Sequence, residues 1–201
     1  MFTRRSRRQK MQKLFQKEKG EYGYITKSKK YDIIKMLIYL GIALIIFVFG
    51  LLLNKMSYVN VFTIVAILFV LPWARVLVEF ILLFPYRTPD QAEYEKWKAA
   101  VPDGSRLLSD VIITSTEKSM GLDFMVMGSG YVYGLATKEK QDNQYVQNYL
   151  KKGVEQNSSG YQVKIFHKAK DFENAIKNRK EKEISVEERE NVEKYILSIM
   201  V

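Results

Sequence analysis

Few side chains in this sequence could carry out chemistry, and most of those lack a partner of the right type. The chain has no cysteine, which excludes disulfides, iron–sulfur clusters and thiol catalysis. His167 is the sole histidine, so a cluster of histidine metal ligands cannot be built. The pair Gly128-x-Gly130 lacks the third glycine and the following helix of a dinucleotide-binding loop. What is left is carboxylate and amine chemistry, for which Asp123 and Lys138 are the candidates.

Asp123 and Lys138 flank a stretch that has the pattern of two strands joined by a tight turn. The runs Asp123–Met127 and Tyr131–Thr137 are apolar and rich in residues that favour strands. Gly128-Ser129-Gly130 lies between them, and glycine adopts the positive φ of a hairpin turn without steric cost. The pattern predicts a hairpin with an aspartate opening its first strand and a lysine just past its second.

This hairpin lies in a polar segment, residues 87–201, which is long enough for one domain with its own core. A helix capped by Thr88 is expected first, followed by a strand at Asp110–Thr116. Apolar spacing then predicts a helix with Tyr145, Val146, Tyr149 and Leu150 on one face, a strand at Tyr161–Phe166, and two more helices. The predicted fold class is therefore α+β, an αβββαβ-type domain with additional C-terminal helices.

The element order and the hairpin resemble the restriction-endonuclease-like superfamily, in particular its nuclease-related (NERD-type) domains. The resemblance rests on DFMVMGSGYVYGLATKEK, residues 123–140, and extends over about residues 90–168. In that family the aspartate and a second acid, two residues before the lysine, hold a divalent metal, and the lysine positions or activates the attacking water. The resemblance implies that Asp123 is the metal ligand and Lys138 the catalytic lysine, with Mg²⁺ or Mn²⁺ as the cofactor.

The sequence departs from the family at the second acid, because Ala136 occupies that position. One carboxylate does not readily replace two hard oxygen ligands around Mg²⁺. The departure favours a degenerate, non-catalytic domain, without a cofactor, that binds a partner protein or a second copy of the chain in assembly. The alternative is a membrane-tethered nuclease in which Glu117, in the loop before Asp123, supplies the missing metal ligand.

Two apolar runs before the domain predict a location in the cell membrane. Residues 33–54 and 61–84 are each long enough to cross a bilayer, since about 20 residues rising about 1.5 Å each span its hydrocarbon core. Only six residues separate them, so residues 33–86 are expected to form a transmembrane hairpin with a short external turn. Lys27, Lys29 and Lys30 crowd its entry, and lysine excess marks the cytoplasmic side. Both termini are therefore predicted to be cytoplasmic.

Two charges interrupt the second run. Arg75 and Glu79 are four residues apart, so they share a helix face and can form an ion pair. In one interpretation Pro72 bends the chain and the pair lies near the cytoplasmic interface. In the other the charges lie in the membrane, as in a small transporter or channel subunit. The second interpretation requires oligomerisation, because two helices cannot enclose a pathway.

The basic charge of the protein is concentrated in the tail, residues 1–32. Residues 1–30 contain eleven Lys and Arg against two Glu, whereas residues 87–201 contain eighteen of each sign. Arg4, Arg5, Arg7 and Arg8 begin a segment suited to anionic lipid or to nucleic acid, or one that serves only as a topology signal. The neutral domain itself gives no electrostatic argument for nucleic-acid binding.

Overall fold

The structure, a computed structural model, describes residues 18–138 and 141–201. It divides into two compact units, one formed by Thr26–Pro85 and the other by residues 18–25 together with Tyr86–Val201. The tail arginines Arg4, Arg5, Arg7 and Arg8 lie outside the described residues, so their proposed binding to lipid or nucleic acid stays a prediction.

The first unit is built from apolar helices. They are α1 (Tyr24–Leu53), α2 (Val61–Leu68) and α3 (Val70–Leu83). Tyr24–Leu53 and Val61–Leu83 are each long and apolar enough to cross a membrane, and only 6% and 11% of their most apolar windows are buried. Two membrane-length helices were predicted, and this is confirmed. The first helix begins at Tyr24 rather than at residue 33. The helix cannot extend further back, because Gly23, the preceding residue, has a φ of 81°, which is not helical.

The second apolar run is interrupted once, at Phe69, between α2 and α3. Pro72 explains the position of the break, because proline has no N–H to donate to the carbonyl of Leu68, four residues earlier. The backbone N–H of Phe69 donates to the carbonyl of Ala66, three residues back, at 3.2 Å, which is the hydrogen-bond spacing of a 3₁₀ turn. The helical hydrogen-bond pattern is therefore interrupted about one turn before the proline, and the expected bend stays a prediction.

The second unit is an α+β domain with a mixed four-stranded sheet. Its elements are α4 (Gln91–Ala100), β1 (Arg106–Thr114), β2 (Ser119–Gly128), β3 (Tyr131–Leu135), α5 (Asn143–Asn157), β4 (Gln162–Phe166), α6 (Ala169–Lys177) and α7 (Val186–Ile199). The strands lie in chain order; β1, β2 and β3 pair antiparallel, and β4 pairs parallel to β3. The predicted order of helices and strands is confirmed, and so is the glycine-containing turn, where Gly130 has a φ of 85°.

Helices cover both faces of the sheet. On one face α5 and α7 contribute Val146, Leu150, Val154, Val192 and Ile196 to a core cluster with the strands. On the other face Trp97 of α4 and Phe172 and Ile176 of α6 pack against Phe124, Val126 and the tyrosines of β3. The ring centroids of Trp97 and Phe172 are 4.9 Å apart, edge to face.

The strands β1 and β2 change their facing pattern in the middle. In β1 the residues that pack in the core cluster with α5 and α7 are Leu108, Val111 and Ile113. Residues on one face of a strand are normally two positions apart, but Leu108 and Val111, on either side of Asp110, are three apart. Asp110 has a φ of 54°, which interrupts the regular alternation of the strand. The register pairs Ser109 with Phe124 and Val111 with Leu122, so Asp110 lies directly across from Asp123.

Two local predictions were wrong. Asp123 does not open its strand, because β2 begins at Ser119, directly after a tight turn in which Ser115 Oγ accepts hydrogen bonds from the backbone of Glu117 and Lys118. Thr88 does not cap α4 either. The cap position is Asp90, and the Thr88 hydroxyl donates a hydrogen bond to Asp110 instead.

Residues 18–25 belong to the folded domain, whereas the whole of residues 1–32 was expected to form a tail. We call residues 18–25 the strap. The backbone N–H of Ser109 donates to Gly20, and Lys19 Nζ donates to the carbonyl of Met200. The ring of Tyr22 in the strap stacks on Tyr94 of α4 at 4.5 Å. The strap thus follows the outer edge of β1, where a strand would otherwise present unpaired backbone groups.

Candidate functional site

Asp123 and Lys138, the two candidate catalytic residues, line one small pocket of the domain, which we call the junction pocket. Its polar and aromatic lining residues are Tyr86, Arg87, Asp110, Asp123 and Lys138. Asp110 comes from β1, Asp123 from β2 and Lys138 from the chain just after β3, while Tyr86 and Arg87 precede α4. The sheet brings these side chains together because β1, β2 and β3 are neighbours.

Asp110 holds two separate segments of chain. Its Oδ2 accepts a hydrogen bond from the backbone N–H of Ile25 at 3.1 Å and another from the hydroxyl of Thr88 at 3.0 Å. The residue is 1% exposed and has a φ in the left-handed region, which costs free energy for a residue with a Cβ. Burial of a carboxylate is also unfavourable unless donors compensate it. The two donors at Oδ2 offset part of that cost.

Asp123 accepts hydrogen bonds from the segment of chain that follows β3. Its Oδ2 accepts from the backbone N–H of Thr137 at 2.8 Å and from the hydroxyl of the same residue at 2.7 Å. These two bonds fix the exit of β3 beside β2. An aspartate with this arrangement acts as a structural cap for the strand end, and a metal ion that bound through Oδ2 would have to compete with both donors.

Lys138 lies against the ring of Tyr86, with Nζ 4.0 Å from the ring centroid. Burial beside this ring lowers the pKa of the Lys138 ammonium group, and the nearby charge of Asp123 partly opposes the change. Tyr86 is itself fixed, because its hydroxyl donates to Ser119 Oγ at 3.1 Å and its ring packs on Gly121. A side chain at position 121 would occupy the space of that ring.

The other two positions in the expected metal site do not join Asp123. Ala136 is 1% exposed and packs in the apolar cluster with Leu122 and Val146, so an acid there would be buried among apolar side chains. Glu117 is exposed in the turn before β2. The strand between Ser119, two residues after Glu117, and Asp123 is about 13 Å long, so Glu117 lies far from Asp123 along the strand. In the described part of the chain no three His, Cys, Asp or Glu side chains lie close enough to hold a metal ion together.

The charge pair of the first unit forms as expected. Arg75 Nε lies 3.6 Å from Glu79 Oε1, and the side chains are 84% and 42% exposed. Near the same end of the unit, Lys29 Nζ donates to the carbonyl of Phe84 at 2.9 Å. Glu79 lies about 7.5 Å and Arg75 about 13.5 Å along the helix axis from Phe84. Arg75 is on the outside of the unit, whereas Glu79 is partly buried.

Comparison of the chain with models of protein families, with characterised proteins and with solved structures finds no match. The likeness to nuclease-related domains therefore stays a prediction.

Sequence reasoning found Asp123 and Lys138 but missed Asp110 and Tyr86. Asp110 was taken only as the first residue of a strand, whereas it sits inside β1. Its partner Ile25 is 85 positions away in the sequence, so no local pattern could have joined the two residues. The one available signal was an acidic residue next to a run of β-branched residues, where a charge is unfavourable unless it has a partner.

Proposed function

We propose that the chain is an integral membrane protein whose apolar helices cross the bilayer as a hairpin. The observation that carries this proposal is the belt of exposed large apolar side chains, which runs from Ile33 to Leu53 on α1 and from Val61 to Phe84 on the second span. Apolar surface of this extent is unfavourable in water, and its length along each helix fits the hydrocarbon core of a membrane.

The distribution of lysines supports a cytoplasmic location for the domain. Lys27, Lys29 and Lys30 lie at the start of α1, and the contact of Lys29 with Phe84 brings the end of the second span to the same level. The turn at the opposite end contains Lys55 alone. Because lysine excess marks the cytoplasmic side, the domain and the start of the chain are proposed to face the cytoplasm.

The geometry of Arg75 and Glu79 supports the interfacial interpretation of this pair. Arg75 pairs with Glu79, which lies one helical turn nearer the lysine-bearing end, and a long arginine side chain can direct its charged group toward the polar boundary of a membrane. The Arg75 side chain lies on the outside of the unit, which gives no support to a transport pathway between the helices.

For the domain we propose a non-catalytic role in binding or assembly at the inner membrane face. Three observations support it: Asp123 is engaged by Thr137, position 136 faces an apolar core, and Glu117 lies far along the strand. The partner is a protein or a second copy of this chain, and the basic tail with Arg4, Arg5, Arg7 and Arg8 is proposed to contact anionic lipid.

The topology can be tested with single cysteines, because the chain has none of its own. Ser57→Cys places a thiol in the exposed turn between α1 and α2, and Lys152→Cys places one on the exposed face of α5. In intact cells a membrane-impermeant maleimide should label the Ser57→Cys variant, while the Lys152→Cys variant should react only after permeabilisation. The reverse pattern would contradict the orientation, and extraction of the protein by alkaline carbonate would contradict integration in the membrane.

A metal-dependent nuclease is the second candidate, favoured by one observation. Asp110 lies across from Asp123 in the sheet and lines the same pocket as Lys138, so a second carboxylate is present although Ala136 is not one. Two carboxylates suit Mg²⁺ or Mn²⁺, which stabilises charge on a phosphate and activates water.

The two candidate functions are separated by an assay on the detergent-solubilised full chain. Mn²⁺ binding by calorimetry and cleavage of DNA and RNA are measured for the native protein, Asp123→Ala and the exposed-site control Asp171→Ala. Binding and cleavage that are lost only in Asp123→Ala would establish a nuclease. No binding and no cleavage in any of the three proteins is the result expected for a binding domain.

A further inference from the structure

Asp110 joins two stretches of the second unit that lie on opposite sides of the apolar helices in the sequence. Ile25 is the last residue of the strap and lies in the first turn of α1, while Thr88 follows the second span. Both donate to the same oxygen, Oδ2 of Asp110, at 3.1 Å and 3.0 Å. A single buried acceptor therefore receives both segments through which the chain leaves and re-enters the domain.

We propose that Asp110 is a latch that couples the strap to the segment after the second span, so that loosening either segment loosens the other. The physical basis is the shared acceptor. Each donor offsets part of the cost of burying the carboxylate, so loss of one donor makes the buried position of the carboxylate less favourable and promotes its withdrawal from the other donor. Asp110 acts here as a positioning residue rather than a catalytic one.

The backbone at Asp110 supports this role. A residue with a Cβ and a φ of 54° in the middle of a strand is held in a sparsely populated conformation, which persists only where the surroundings enforce it. Glycine would adopt the same φ without that cost, yet the position carries an aspartate. The side chain therefore does something that the backbone geometry alone does not require.

The backbone of the strap has points at which it can move, which is what a releasable segment needs. The strap is joined to β1 by the hydrogen bond from Ser109 N to Gly20 O at 2.9 Å and by the bond of Ile25 to Asp110. Gly20 and Gly23 both have a positive φ, so the strap contains two points at which the backbone is permissive. Every contact of the latch lies within the second unit, so the inference does not depend on the membrane assignment.

The test is a distance measurement on the full chain in detergent. Spin labels are attached at Glu21→Cys in the strap and Thr116→Cys in the turn between β1 and β2, two exposed positions in a chain without native cysteine. The native protein should give one narrow distance distribution. Asp110→Gly, which removes the carboxylate and also the backbone strain, should broaden it about twofold or more, as expected when a segment opens locally. Asp110→Asn retains an acceptor and tolerates the left-handed φ, so it should stay narrow.

Asp123→Ala is the matched control, because Asp123 lies across from Asp110 but holds Thr137 rather than the strap. Its distribution should stay narrow. Thr88→Val tests the coupling itself, since its hydroxyl donates to Asp110, and it should broaden the distribution of the strap label. A narrow distribution in Asp110→Gly, an equal broadening in Asp123→Ala, or no change in Thr88→Val would each overturn the latch. Circular dichroism of each variant confirms that the domain remains folded.

Discussion

At the scale of single residues, the junction pocket shows how two carboxylates in one sheet can take different tasks. Asp110 of β1 and Asp123 of β2 lie at neighbouring positions of the two paired strands. The Oδ2 atom of each accepts two hydrogen bonds. Asp110 receives one donor from each of two distant segments, whereas Asp123 receives both donors from Thr137. The first arrangement joins parts of the chain, and the second ends a strand.

Gly121 gives a prediction at this scale. Gly121→Ala should destabilise the domain by about 1–3 kcal/mol, because the new Cβ would overlap the ring of Tyr86, which its hydrogen bond to Ser119 holds in place. Urea unfolding of the solubilised chain measures the change. In a Tyr86→Ala background the same substitution should cost much less, since the overlap is removed. Equal costs in the two backgrounds would show that the ring is not what excludes a side chain.

The same residues show what the sequence could and could not reveal. Asp123 and Lys138 were found because they flank a hairpin whose strands and turn follow local rules. Their partners were not found, because Thr137 reaches back across the hairpin and Tyr86 lies more than fifty positions before Lys138. The assignment of Asp123 to the start of a strand failed because the polar turn after Thr114 hid four strand residues.

At the scale of elements, the order of helices and strands was predictable, and the ways in which they are attached were not. Apolar periodicity identified α5 and the strands because each buries one side or both. The strap carries no such periodicity. It is recognisable only in three dimensions, where Gly20 lies so close to Leu108 that a Cβ would be 2.6 Å from its side chain.

Glu173 gives a prediction at the level of two helices. It joins α6 to α4, because its carboxylate lies 2.6 Å from Lys177 Nζ and 3.6 Å from Lys96 Nζ. The hydrogen bond and charge of Lys177, with the charge of Lys96, lower the pKa of the Glu173 carboxyl group. Its stabilising effect should be fully present above the ordinary carboxyl pKa and be lost as the pH falls through the lowered pKa of the folded state.

The difference in unfolding free energy between the native protein and Glu173→Gln should therefore shrink between pH 7 and pH 3. Glu155→Gln is the comparison variant, because the pair of Glu155 with Lys151 lies within a single helix, α5. A difference for Glu173→Gln that does not change with pH would contradict the assignment. Added salt should reduce it, since the Glu173 side chain is accessible to solvent.

At the scale of the whole molecule, the domain is discontinuous in sequence. Residues 18–25 and Tyr86–Val201 form one unit, and the apolar helices are inserted between them. A boundary placed at residue 87 from the change in composition therefore leaves out the strap and Tyr86. Composition marks where polarity changes, and it does not mark which segments pack together.

Residues 86–201 alone should consequently unfold at a lower temperature than the same residues carrying the strap on a flexible Gly/Ser linker before Tyr86. Each kcal/mol that the strap contributes should raise Tm by about 4 °C. The control is the same linked protein with Gly20→Val, which should gain little, because valine neither fits beside Leu108 nor adopts a φ of 83°. Equal Tm values for the linked and unlinked proteins would show that the strap adds no stability.

The coverage of β1 also has a consequence for biogenesis. Its outer edge is closed by Gly20 from one side of the sequence and by Val201, whose N–H bonds to Ile112, from the other. Lys19 and Met200, which meet there, are separated by 181 positions, so this loop can close only after α7 has been made. The apolar helices are synthesised before β1. The strap is also made before β1, but Val201 is made after it, so until that segment docks the nascent domain exposes a strand edge to which an extended chain can pair.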